Sequence, residues 1–186
     1  KAVIADVTNN VRLKEIAKTI PKCDILVNTA GKSVLIQHSN LAALTDSLFD
    51  DLLTSNLRSV YSTIREFLPS LLASDTALVI NISSASSIRT GGSNLAYAAA
   101  KAGVDSLTKN LATAFAPKIR FISLNPSAVS TGFLPIPEDH YTKIASTTPL
   151  KRIATVDDVA NAVEAFATTL RFTTGNCFVI DGGRII

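Results

Sequence analysis

Four short runs, DILVN (24–28), ALVINIS (77–83), IRFISLN (119–125) and CFVID (177–181), are almost unbroken in apolar and β-branched residues. A strand that faces water on one side alternates apolar with polar residues, and a strand covered on both faces does not. The four runs therefore predict parallel strands buried between layers of helix. A fifth run, AVIADV (2–7), reads as another strand, already under way where the chain begins. Helical stretches lie between the runs. Residues 10–20 are apolar at Val11, Leu13, Ile16, Ala17 and Ile20, and residues 94–115 are rich in alanine and leucine. Residues 45–73 are long enough for roughly seven or eight turns. Residues 155–170 open on TVDD, where Thr155 can cap and two aspartates suit the positive end of a helix. This alternation argues an α/β fold with a mostly parallel sheet, read as one domain over 1–186.

Composition narrows the partners. The chain has 186 residues, 47% of them hydrophobic, with 18 Lys+Arg against 15 Asp+Glu. No Lys/Arg cluster interleaves with aromatics, so no nucleic acid is expected. No apolar run approaches the ~18 residues of a membrane span, and no signal peptide opens the chain. A cytoplasmic protein without a membrane partner is the expectation. Cys23 and Cys177 stand alone, outside any CxxC or His-containing spacing. They read as two buried thiols in a reducing compartment, with no metal set. The chain has no methionine and begins at Lys1, so it reads as lacking its initiator.

The strands end in polar residues: Asp6, Asn28, Ser83-Ser84, Asn125 and Asp181. In an open parallel sheet those ends share one edge, where ligands bind, although strand ends are also simply where water begins. The segment 126–150 carries four prolines and links a strand to the last helix. A connection of that length suits a lid or binding loop, placed at 132–150.

Within the helix at 94–115 stands YAAAK (97–101). Tyr97 and Lys101, at i and i+4, share one helix face. A free phenol has a pKa of about 10 and is a poor acid or base at neutral pH. A neighbouring ammonium favours the phenolate and lowers that value toward the range useful for proton transfer. The three alanines keep the face low, so that a flat substrate and cofactor can approach. By itself Tyr-x-x-x-Lys is a weak signal.

Other stretches stand in order around it. NTAG (28–31) closes a hydrophobic run and SNL (55–57) lies inside the long helix. Ser84, at the end of VINISS, precedes Tyr97 by 13 residues. NPSAVST (125–131) follows the next strand, and VIDGG (179–183) closes the chain. From Asp6 to the C-terminus, in order and spacing, the chain resembles the compact single-domain short-chain dehydrogenases/reductases. The resemblance implies a Rossmann-like doubly wound parallel sheet. It also implies hydride transfer between NAD or NADP and an alcohol or ketone carbon. Tyr97 would be the general acid/base and Lys101 its tuning partner, which also holds the nicotinamide ribose. Ser84 would hydrogen-bond the substrate oxygen, and Asn56 would hold a water that links Lys101 to solvent. Ser83 is expected to point to the other face, while Ser86 and Ser87 crowd the same loop.

Cofactor contacts are implied in the same way. Asp6 and Val7 match the pair at the adenine ring, and Asn28, Ala30 and Gly31 the turn beside the adenosine ribose. Pro126, Val129 and Thr131 match the segment that receives the carboxamide. Thr29 replaces a second asparagine. Ser127 replaces the glycine usual after the proline, where a side chain could crowd the cofactor. Asn125 and Asp181-Gly182-Gly183 read as mainly structural. The family's glycine-rich phosphate loop and its first two strands are not in this sequence. Roughly 50–60 further N-terminal residues are the expectation, without which strand edges and apolar surface would be exposed.

Substrate choice is expected from Phe133, Leu134, Ile136, His140 and Tyr141 and from the loop 85–95. Arg89 in that loop could meet an acidic substrate, although a solvated arginine is the ordinary case. Many relatives reduce 3-oxoacyl groups on acyl carrier protein and carry docking cations where this chain has Asp75 and Pro117, the latter beside Lys118. That weakens this alternative. A non-catalytic nucleotide-binding or scaffold relative would usually have lost Tyr97 or Lys101. The extended epimerase branch needs a longer C-terminal part. The helices 45–73 and 94–115 are expected to pair with a neighbour's copies in a homodimer or homotetramer, with Ala98, Ala99, Ala102 and Gly103 allowing close approach.

Overall fold

The computed structural model describes residues 2–134 and 137–185, and of Glu138 only the main chain. Four parallel strands form one sheet in the order β1-β2-β3-β4: β1 Ile25–Asn28, β2 Ala77–Ile82, β3 Ile119–Pro126 and β4 Asn176–Ile180. All four follow the apolar runs. Alternate residues of β2 and β3 face opposite layers. Ala77, Val79, Ile119 and Phe121 pack on one side with α1 (Asn10–Lys18), α3 (Ser59–Leu72) and α4 (Leu95–Phe115). Leu78, Ile80, Ile122 and Leu124 pack on the other side under α6 (Val156–Thr168), where Phe166 is buried. Burial on both faces explains why these strands do not alternate. The sheet is thus the doubly wound, Rossmann-like arrangement that the alternating pattern predicts.

One row across the sheet is polar. Asn28, Asn81, Ser123 and Cys177 stand in register on adjacent strands. The Asn28 amide donates to Asn81 Oδ1 at 2.8 Å, and the Asn81 amide to Thr108 Oγ1 of α4 at 2.9 Å. The Ser123 hydroxyl donates to Asp105 Oδ1 of α4 at 2.6 Å. Polar groups in an interior this dry persist because each finds a partner.

Residues 2–7 form no strand: Asp6 accepts from the main chain and hydroxyl of Thr8, and the chain turns there. A strand needs a neighbour's ladder, and among the described residues none runs beside this segment or along the outer edge of β1. Ile25 (46% exposed) and Val27 (36%) of β1 face outward accordingly.

The long helix is continuous from Asp46 to Leu72 but not uniform. α2 (Asp46–Leu53) runs into a π-helical turn, Thr54–Arg58, and then into α3. The wider turn buries Ser55 and Asn56. In the segment read as a lid, α5 spans Glu138–Thr147 and begins after Pro137. Ile136, one of the expected specificity positions, lies outside the described residues. α6 starts as its sequence predicts: the Thr155 hydroxyl accepts from the Asp158 N–H, and the Asp158 carboxylate accepts from the Thr155 N–H. The adjacent Arg152 guanidinium and these bonds hold the Asp158 carboxyl well below the usual carboxylate range.

Candidate active site

α4 is set in place by its cap. Asn94 Oδ1 accepts from the Tyr97 N–H at 2.8 Å, and the Asn94 amide donates to Ser33 Oγ and the Val34 carbonyl in the loop after β1. The first turn of the helix, and Tyr97 with it, is thereby tied to that loop. Ala96 and Ala100 are fully buried and let α4 lie close to the sheet. Lys101 and Asp105 are buried on the same side.

A cavity of about 1120 Å³ opens at the C-terminal ends of the strands. Ser84, Tyr97 and Lys101 line it, as do Gly31, Pro126, Val129 and Thr131. The structure thus brings these expected site residues together. Asp6, Val7, Asn28 and Ala30 lie off its lining. Asp6 is exposed, and Asn28 is engaged with Asn81 inside the sheet.

At Ser84 the backbone is still extended (φ −162°, ψ 152°). Successive side chains therefore point apart, as expected. Ser83 donates to the Lys101 carbonyl at 3.0 Å, whereas the Ser84 hydroxyl accepts from the Ser86 N–H at 3.1 Å and lines the cavity with Tyr97. Asn56 lies fully buried behind Gly31. Its amide donates to the carbonyls of Lys32 and Leu52 and its Oδ1 accepts from the Lys32 N–H. The side chain is thereby committed to the main chain. Gly31 leaves no room: a Cβ there would stand 2.6 Å from Asn56 Oδ1 and 3.9 Å from Lys101 Nζ.

Lys101 Nζ donates to the Ile82 carbonyl at 2.7 Å and lies 5.5 Å from the centroid of the Tyr97 ring. Burial pushes the ammonium down to about 8, against the attraction of Asp105. Burial likewise pushes the Tyr97 phenol up, against its hydrogen bond with Ser84. The direction for Tyr97 is opposite to that expected from Lys101. Desolvation penalises the phenolate, and the ammonium points at a carbonyl below the ring.

Asp105 did not stand out in the sequence. It accepts from Ser87 (2.5 Å), Ser123 (2.6 Å) and Asn125 (2.7 Å), and so anchors the loop that follows Ser84. Its signal was the i+4 spacing from Lys101 on one helix face. Asn125 serves this network, and Asp181 accepts from the N–H groups of Gly183 and Ile185 in its own turn, as their structural readings required. Gly103 is occupied within the chain: a Cβ there would meet Leu57 Cδ2 at 2.8 Å. α4 thus packs closely on the π-helical turn at this position. Phe133 lies beside Tyr97, ring centroids 6.1 Å apart, and Ser127 lines the cavity.

Over residues 2–184 the chain matches the family described as Enoyl-(Acyl carrier protein) reductase. It is 33% identical over 190 residues to dehydrogenase/reductase SDR family member 6 of Xenopus laevis, covering 97% of this chain and 76% of that protein. It is 34% identical over 173 residues to a 4-formylbenzenesulfonate dehydrogenase of Comamonas testosteroni, covering 87% of this chain and 67% of that one. The crystal structure of a 3-ketoacyl-(acyl-carrier-protein) reductase from Brucella melitensis complexed with NADH superposes with a TM-score of 0.88 at 30% identity. It covers 100% of this chain and 78% of that one.

Proposed function

The chain belongs to the short-chain dehydrogenase/reductase family, a family of oxidoreductases, and we propose that it is an NAD- or NADP-dependent enzyme acting on an alcohol or ketone carbon. The observation that carries this reading is the convergence of Ser84, Tyr97 and Lys101 on one cavity, which Gly31 also lines. The residues present fit a nicotinamide cofactor. Gly31, Pro126, Val129 and Thr131 supply small or apolar surface along the same cavity, and Lys101 would hold a ribose hydroxyl. When bound, that cofactor supplies or accepts the hydride.

The chain's own part is the proton. As a carbonyl is reduced, negative charge develops on its oxygen, and Ser84 and Tyr97 are the two hydroxyls grouped to donate there. Tyr97 Oη gives its proton to that oxygen, and Ser84 Oγ holds the oxygen in place. Burial keeps Tyr97 protonated at neutral pH, so the proton is present to be given, and its loss has to be offset by the neighbouring ammonium. The Lys101 ammonium, oriented by the Ile82 carbonyl, stabilises the phenolate left behind.

We place the enzyme in the cytoplasm, with its two cysteines as free thiols. We read it as a homodimer or homotetramer acting on a small molecule. Tyr61 and Leu72 on α3 and Leu95 on α4 are exposed apolar surface for such contacts. Reduction of 3-oxoacyl thioesters on a carrier protein is favoured by the Brucella relative. It is opposed by Asp75, whose side chain is 97% exposed where a docking cation is needed. Retention of the full catalytic set opposes a scaffold role.

The test is turnover followed by nicotinamide absorbance, with NADH and with NADPH, over ketones and 3-oxoacyl thioesters. Tyr97→Phe is expected to lower kcat by about 10²–10⁴-fold. Unchanged turnover in Tyr97→Phe overturns the assignment.

A further inference from the structure

The cavity is charged in one sense. Arg89, from the loop after β2, Lys101 of α4, Lys143 of α5, and Arg184, from the C-terminal turn, all line it, and no Asp or Glu is among the described lining residues. Arg184 is held by one end only. Its Nη1 donates to the Ile144 carbonyl of α5 at 3.2 Å, while its Nε is buried with no hydrogen-bond partner. Arg89 donates through Nε to the Thr90 carbonyl at 3.3 Å. The nearest carboxylate in sequence, Asp181, is engaged by the N–H groups of Gly183 and Ile185. Burial, and then repulsion from Arg89, hold the Arg184 guanidinium below its ordinary pKa, against the attraction of Asp181.

Two guanidiniums that repel across a cavity, one with a buried unsatisfied N–H, are unfavourable unless an anion lies with them. We propose that Arg89 and Arg184 together bind a carboxylate of the substrate, so that the enzyme acts on oxo acids or the corresponding hydroxy acids. A carboxylate fits because its two coplanar oxygens match the forked donors of a guanidinium. The apolar lining of the same cavity, which includes Phe133 beside Tyr97 and Ile144 beside Arg184, suits a short hydrocarbon chain linking carboxylate and carbonyl. This inference rests on the oxidoreductase reading but is separately testable, because it concerns the end of the substrate that does not react.

The experiment compares 3-oxohexanoate with its methyl ester, using the full chain and following nicotinamide absorbance. Arg89→Gln, Arg184→Gln and the double variant are read alongside. The acid is expected to exceed the ester in kcat/KM by about 10–100-fold, and that ratio should fall toward unity in the double variant. Equal kcat/KM for acid and ester, or a preference that survives in the double variant, overturns the proposal. Calorimetry with hexanoate and hexanamide decides the same point without turnover. Hexanoate should bind about tenfold or more tightly than the amide, and only with both arginines present. Equal binding overturns the proposal even in an enzyme that reduces neutral ketones. Failure of the oxidoreductase reading shows separately, as turnover indifferent to Tyr97→Phe.

Discussion

Lys101 Nζ donates to the main-chain oxygen of Ile82 at 2.7 Å, joining the middle of α4 to the end of β2. The bond fixes the ammonium beneath the Tyr97 ring and keeps it buried, and burial brings its pKa down from 10.5 to about 8.

That shift makes stability depend on pH. Below about 8 the ammonium is charged in both folded and unfolded chains, and its desolvation cost is fully present. Between about 8 and 10.5 the unfolded chain still binds the proton and the folded chain has lost it. Stability therefore rises with pH across that window, by at most about 1.4 kcal/mol per pH unit from this group. Urea unfolding of wild type and Lys101→Met across the window checks it. The difference between the two should narrow or reverse as pH rises if Lys101→Met starts out the more stable. An equal slope in both would show that Lys101 is not the titrating group.

Gly31→Ala should damage the site more than its size suggests. The new methyl would stand 2.6 Å from Asn56 Oδ1, and that oxygen is pinned by the Lys32 N–H. Overpacking of this kind costs about 1–3 kcal/mol, and any relief moves Asn56 or the turn beside Lys101. Thermal unfolding should show the loss, and kcat/KM should fall with it. Gly103→Ala meets only the tip of Leu57, a flexible side chain, and should cost less.

Asn94→Ala removes the cap of the helix that carries Tyr97 together with its bonds to Ser33 and Val34. A lost cap costs about 1 kcal/mol. Asn94→Asp keeps the acceptor for the Tyr97 N–H but not the donor to the loop. Stability partly restored in Asn94→Asp, with kcat still reduced, would separate capping from positioning.

Asp105→Ala leaves Ser87, Ser123 and Asn125 without their shared acceptor in a buried site. A loss of about 2–4 kcal/mol is expected by chemical denaturation. Asp105→Asn, of nearly the same shape, should lose less, since it retains one acceptor oxygen. Equal stability of all three proteins would show that the network holds nothing.

The sequence by itself determined the strands, the main helices and the set Ser84, Tyr97 and Lys101. Runs of apolar residues and helical spacing are local patterns, and the order of motifs survives without knowledge of contacts. Residues 2–7 carry a strand's pattern and form none, because a strand exists only with a neighbour to bond it. The tertiary structure alone decided that burial outweighs Lys101 in setting the Tyr97 phenol. It alone placed Asp105 beneath the Ser84 loop, spent Gly103 on Leu57, and brought Arg184 into the same cavity as Arg89. Desolvation, packing and charge repulsion act between residues that the chain holds far apart, and only the fold makes them neighbours.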